Sequence, residues 1–229
     1  MKALEDMDEL MTEYDFIKWI GHASFMLDVG VTKIYIDPFR LSKDFGKADV
    51  IFITHSHFDH LSIDDIRKIA KDDTVILAPE DAAKKVSMWN AIAVKPYDKG
   101  EAKGVRYEAV RAYNVKPERL SYHPKDNNWL GYVIDVGDTK VYHAGDTDAV
   151  EEMKGLRTDI ALLPMGGTYT MDVDEMAKAA GMINAKTIVP MHYKALLGKE
   201  GSAKAEEKIR EKLDNVMIMK EIQEPYYSF

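Results

Sequence analysis

The sequence predicts an α/β sandwich, two sheets packed face to face with helices outside. Two observations predict it: short β-branched or aromatic runs crowd the first half, and helices alternate with strands from the middle onward. A chain of 229 residues is enough for one large domain with a real core and long for two. No internal repeat, low-complexity tract or Gly/Ser linker divides it, so residues 1–229 read as a single domain.

The runs Phe16 to Ile20, Ser24 to Val29 and Lys33 to Ile36, punctuated by Gly21 and Gly30, predict a meander. Val50 to Thr54 is a further apolar run, and Ser62 to Lys71 has helical spacing with Ser62 as N-cap. Val75 to Ala78 reads as a strand, with a helix opening at Pro79 and Glu80. Strands are expected at Ile92 to Val94, Arg106 to Arg111, Leu130 to Val136 and Lys140 to His143. The last two flank the hairpin signal Gly137-Asp138. Ile160 to Leu163, Thr187 to Val189 and Val216 to Met219 follow as strands, and Asp172 to Ile183 and Ala203 to Leu213 as helices.

Composition excludes several classes. The chain is 46% hydrophobic and 31% charged, ordinary for a soluble protein, and no run reaches the ~18 apolar residues of a membrane span. The acidic opening, residues 1–14, lacks the pattern of a secretory signal, so a cytoplasmic location is the default expectation. A net charge of −8 with scattered Lys and Arg disfavours a nucleic-acid partner. The absence of cysteine excludes disulfides, thiolate zinc sites and cysteine nucleophiles. Any metal must be held by imidazole and carboxylate.

The central signal is His55-Ser56-His57-Phe58-Asp59-His60, a compact set of borderline ligands placed directly after an apolar strand. By composition such a block arises on the order of once in a thousand chains of this kind. The alternative is a solvated His-rich loop. Asp146, in His143-Ala144-Gly145-Asp146-Thr147, follows another apolar strand and reads either as a bridging carboxylate or as a helix N-cap. His192, in Pro190-Met191-His192-Tyr193, closes a third, where a lone histidine is usually structural. Three strand ends each closing on His or Asp suit a metal centre.

Together with Gly21-His22-Ala23-Ser24-Phe25 and Ile36-Asp37-Pro38, these segments make the sequence resemble the metallo-β-lactamase superfamily over nearly the whole chain. The opening and middle elements resemble its ascorbate-6-phosphate lactonase-like branch of small hydrolases. The resemblance implies a four-layer αββα sandwich with the metals at one edge. It implies that His55 and His57 serve one ion, Asp59, His60 and His192 the other, and that Asp146 bridges.

One ligand departs from the family pattern. Where the family places a further histidine, this chain has Ala112-Tyr113-Asn114; His123, in Tyr122-His123-Pro124, is expected to fold back and complete the first site. Neutral Asn114 is a poorer zinc ligand. Asp37 is the expected partner that orients a ligand ring. His22 reads as a peripheral ligand, a proton donor or a core histidine, and His143 as structural. Gly166-Gly167-Thr168-Tyr169-Thr170 and Lys194 are candidates for holding a substrate anion, against the alternatives of a plain connection and a solvated lysine.

The chemistry implied is hydrolysis by a metal-bound hydroxide, with one or two divalent ions, zinc before manganese or iron, and Asp59 and His22 as catalytic residues. The substrate expected is a small ester, lactone or phosphorylated molecule. The alternatives are a phosphodiesterase or nuclease acting on RNA or DNA, and a non-catalytic metal-binding or interaction protein.

Overall fold

The computed structural model describes residues 14–223, so the acidic opening segment and its expected lack of a signal lie outside the described residues, Tyr14 apart. Strands β1 (Ile17–Gly21), β2 (Ser24–Asp28), β3 (Lys33–Ile36), β4 (Val50–Phe52), β5 (Val75–Ala78) and β6 (Asn90–Ala93) form one sheet in that order. The first three run antiparallel, and β3 to β6 run parallel. The second sheet has the order β12-β11-β10-β9-β8-β7, with β7 (Lys99–Ala102), β8 (Val105–Arg111), β9 (Leu130–Val136), β10 (Thr139–His143), β11 (Arg157–Pro164) and β12 (Asn184–Met191). Here β7 to β10 run antiparallel and β10 to β12 parallel. Helices α1 (Ile63–Ile69), α2 (Glu80–Lys85), α3 (Val173–Met182) and α4 (Lys194–Lys212) complete the α/β architecture.

Strand alternation builds two cores from one sheet. Trp19, Phe25, Ile34, Ile36, Phe52 and Leu77 face the second sheet and pack with Tyr132, Ile134, Val141 and Leu162. Their neighbours Ile20, Met26, Tyr35, Ile51 and Ile76 face outward, against Ile66 and Ile69 of α1 and Ala82 and Ala83 of α2. Burial on both faces explains the near-continuous apolar runs in these strands.

The sheets are also joined by polar bonds. Tyr132 of β9 donates its hydroxyl to the Ile53 carbonyl at 3.0 Å, and the Leu130 amide donates to the Thr54 carbonyl at 3.0 Å. Both acceptors follow β4, so the join falls where the His-rich block begins.

Three elements differ from the sequence reading. The β7 strand, Lys-Gly-Glu-Ala, carries no apolar alternation and forms by antiparallel pairing at the sheet edge, with Gly100 against the Tyr107 ring. The last helix begins at Lys194 rather than Ala203, because the turn before the Gly198 kink (φ 65°) has weak periodicity. The expected strand Val216 to Met219 is a single parallel bridge, Val216 to Ile188. No helix among the described residues is long and apolar enough to cross a membrane.

Gly145 sits in the join between the sheets, in left-handed backbone (φ 65°). An added Cβ would come to 2.7 Å from the Leu130 carbonyl oxygen and 3.1 Å from Thr54 Cβ. Gly145→Ala should therefore lower stability by about 2 kcal/mol, a fall of roughly 5 °C in melting temperature by calorimetry.

Candidate metal centre

The His and Asp side chains converge at the carboxyl ends of the parallel strands, the usual ligand edge of α/β sheets. Past β4 the chain leaves the sheet and turns through residues 55–60. The His60 amide bonds back to the His57 carbonyl at 3.1 Å, which returns Asp59 and His60 toward the centre. Asp146 follows β10, and His192 follows β12 with φ 56°. His22 occupies the β1–β2 turn at φ 55°, and the His192 amide bonds to its carbonyl at 3.0 Å. All of the sequence-predicted ligands come together here.

They form two groups. His55, His57 and His123 make one; His22, Asp59, His60 and His192 make the other, and within each the ligand atoms lie within 4.8 Å of one another. Asp146 lies between them. Its Oδ2 is 3.3 Å from His123 Nε2 and 3.1 Å from His192 Nε2, and its Oδ1 is 3.5 Å from His60 Nε2.

Hydrogen bonds fix which ring nitrogen faces inward. Asp37, fully buried after β3, accepts the Thr54 amide on Oδ1 at 2.8 Å. Its Oδ2 accepts the Thr54 hydroxyl and His60 Nδ1, each at 2.6 Å. Having given its proton to Asp37, Thr54 Oγ1 accepts His55 Nδ1–H at 2.9 Å. One carboxylate thus turns the Nε2 atoms of His55 and His60 toward the centre, as metal-site partners do. Because its oxygens are so engaged, Asp37 acts as an orienting group, although it too neighbours His55 and His60 closely.

Asn114 does the same for His123. Its Oδ1 accepts His123 Nδ1–H at 2.8 Å, and the ring's Nε2 then points at Asp146. The two residues are a bonded pair rather than rival ligands. Asn114 is held in turn by Asp148, whose oxygens accept Asn114 Nδ2 at 3.1 Å and the amides of Val115 and Lys116 at 2.8 and 3.1 Å. Buried Arg119 closes the loop, reaching Asp148 and Glu175 at 2.9 Å each and the Thr170 carbonyl.

Electrostatics match this geometry. Burial, with His60 and His123 nearby, pushes His55 well below the ordinary imidazole value; burial and His123 also lower His57. Burial and His192 bring His22 down to about 4. Neutral rings are the form that binds metal. Burial opposes ionisation of Asp146 and Asp59, yet the adjacent histidines hold both carboxyls below their usual range, His192 first for Asp146 and His60 first for Asp59. Against the opposing effect of burial, Asp146, Asp37 and Asp59 raise His60, which marks a place where positive charge is favoured.

The donor set fits a divalent ion. His60 Nε2, His123 Nε2, His192 Nε2 and Asp146 Oδ1 are buried without a hydrogen bond, which would be costly unless a cation accepts their lone pairs.

The remaining expectations separate. His143 donates Nε2–H to the Ala23 carbonyl at 2.9 Å and accepts the Gly145 amide on Nδ1, so it is structural. Lys194 lies over the Trp19 ring and pairs with Glu206 at 3.6 Å, away from a role at the centre. The 166–170 segment offers its Tyr169 and Thr170 carbonyls to Asn114 and Arg119, so it braces the His123 loop. Gly166 packs against the His192 carbonyl, where an added Cβ would come to 2.6 Å.

Sequence reasoning missed Asp148, Arg119 and Trp129. Trp129 packs its ring 4.9, 4.7 and 5.7 Å from the rings of His55, His57 and His123 and donates Nε1–H to Asp81. The doublet Asp146-Thr147-Asp148 was the available signal for Asp148; nothing local marks Trp129.

Residues 16–192 match the family described as "Beta-lactamase superfamily domain". A UPF0173 metal-dependent hydrolase of Thermoplasma acidophilum is 37% identical over 194 residues, covering 77% of this chain and 82% of its own. One of Pyrococcus horikoshii is 33% identical, covering 77% and 84%. A crystal structure from Parabacteroides distasonis, assigned as a metal-dependent hydrolase, superposes with TM-score 0.80 at 37% identity, covering 90% of this chain and 93% of that one. The Ignicoccus hospitalis metallo hydrolase Igni18 shares the fold at TM-score 0.71 and 23% identity. The chain belongs to the metallo-β-lactamase superfamily, within its UPF0173 group of metal-dependent hydrolases.

Asn114→Ala should weaken metal affinity about 10- to 100-fold by freeing the His123 ring. Competition against a chromogenic chelator measures it, and Gln should restore less than Asp because its longer arm displaces the acceptor.

Proposed function

We propose that the chain hydrolyses a small ester, lactone or phosphorylated substrate in the cytoplasm, using one or two divalent ions, zinc first. In this reading His55, His57 and His123 hold one ion, Asp59, His60 and His192 the other, and Asp146 bridges, with His22 beside the second group. The observation that carries the reading is the pair of donor groups flanking Asp146, with four inward-facing atoms left unbonded. The substrate class rests on the resemblance of the opening and middle elements to the ascorbate-6-phosphate lactonase-like branch.

When bound, such ions acidify water and polarise the bond under attack. The chain's own part is orientation and proton handling. Asp59 is partly open to solvent and holds Oδ2 at 3.1 Å from His22 Nε2. It aligns the attacking water and takes up its proton, and His22 is the partner through which that proton moves on to the leaving oxygen. No side-chain nucleophile is needed. His57, half-buried beside exposed Phe58, forms the open wall through which substrate approaches.

Asp59→Ala should reduce turnover of activated esters by at least about a thousandfold while circular dichroism stays unchanged. Wild-type rates in the folded variant would contradict this mechanism. Metal content by elemental analysis tests the centre separately: one to two ions per chain are expected.

A further inference from the structure

Large apolar side chains stand exposed around the metal centre instead of joining either core. Phe58, between His57 and Asp59, is 68% exposed, and its one close aromatic neighbour among the described residues is Phe39, at 6.0 Å edge to face. Phe39 in turn lies 6.2 Å from the His22 ring. Across the site, Leu120 and Tyr122 on the loop ending in His123 are 49% and 38% exposed, and Tyr122 stands 4.8 Å from Tyr169. The His57 and His123 rings are 5.0 Å apart, so Phe58 and Tyr122, each next in chain to one of them, lie at neighbouring points of the chain.

Most of the charged groups nearby point the same way, while Lys85 donates to the Ser56 carbonyl at 3.2 Å in the His-rich turn. Lys194 is paired with Glu206, Lys116 and Arg119 with Glu175, and Lys125 lies over the Tyr113 ring with its ammonium on the Tyr113 hydroxyl. Each of these four cations, close in sequence to a site histidine or on the His123 loop, is already neutralised or covered. Apolar walls around a few polar groups are the usual lining of a small-molecule site, and exposed aromatics beside reactive groups mark where a ligand's apolar surface is buried.

We propose that the substrate is a neutral ester or lactone carrying an apolar alkyl or aryl group, which seats on Phe39 and Phe58 on one side and Leu120 and Tyr122 on the other. The proposal rests on the hydrolytic reading above and narrows it against a phosphorylated substrate. Water's oxygen bonds to the acyl carbon, the bond from that carbon to the ester oxygen breaks, and the leaving oxygen takes the proton, giving acid and alcohol. Burial of the apolar group supplies binding energy that positions the carbonyl.

The test uses the metal-loaded full chain with p-nitrophenyl esters from acetyl to hexanoyl, set beside a phosphorylated lactone. We expect kcat/KM to rise at least about tenfold from acetyl to hexanoyl, given the ~0.8 kcal/mol available per buried methylene. In Phe58→Ala and Tyr122→Ala that gain should shrink to about threefold or less. Saturation-transfer NMR with the neutral ketones 2-octanone and acetone gives a readout independent of turnover: 2-octanone should bind, and Phe58→Ala should abolish its signal. A flat chain-length series, a gain untouched by either variant, or preference for the phosphorylated lactone would overturn the proposal while leaving the hydrolase intact. If no substrate turns over although the metal is bound, the hydrolytic reading fails, and the ketone signal alone decides whether the apolar rim binds.

Discussion

The centre depends on one buried carboxylate, Asp37. It lies after β3 in left-handed backbone (φ 45°), with no exposed surface, and collects bonds from the Thr54 amide, the Thr54 hydroxyl and His60. Through Thr54 it also sets the His55 ring. Two imidazoles from a turn outside the sheet are thus tied to the first sheet. A carboxylate in that place is stable only when its oxygens are filled, and the groups that fill it are the ones that need orienting.

The second sheet applies the same logic with different chemistry. His123 lies on a long loop, far from any strand end, and its aim comes from Asn114, Asp148 and Arg119 in sequence. Glu175 belongs to this brace and also to the capping box of α3, where its side chain accepts the Asp172 amide. Helix start and metal-site loop are therefore one hydrogen-bonded unit. A neutral amide suffices as the orienting group because Asp146 already supplies negative charge beside that ring.

Much of this was legible in the residues. Period-two apolar runs foretold most strands, and the strand-end positions of His55, Asp146 and His192 foretold the edge where they meet. Asp37 could be assigned as an orienting group because it ended a strand ahead of the His block. The loop was harder. That His123 turns back to the centre follows from contacts more than thirty residues distant, such as Asn114 with Asp148, which no local spacing encodes. The Gly166 to Thr170 segment and Lys194 looked like anion holders because glycine and lysine serve that purpose often. Two carbonyls of that segment bond Asn114 and Arg119 while the buried Thr170 hydroxyl has no hydrogen bond, and the Lys194 ammonium pairs with Glu206. The polar β7 strand was hidden for a related reason: edge pairing, rather than its own composition, makes it a strand.

The candidate ligand groups also straddle a seam. His22, His55, His57, Asp59 and His60 belong to the first sheet's edge, while His123, Asp146 and His192 belong to the second. An ion held by both would work as a rivet between two plates already joined at this edge by hydrogen bonds from Tyr132, Leu130, His143 and His192. Sliding one plate by a single residue, about 3.3 Å, would carry half of the ligands out of reach. Metal binding would therefore favour the aligned pair of plates, and by mass action the binding free energy of the ion would add to the stability of this edge.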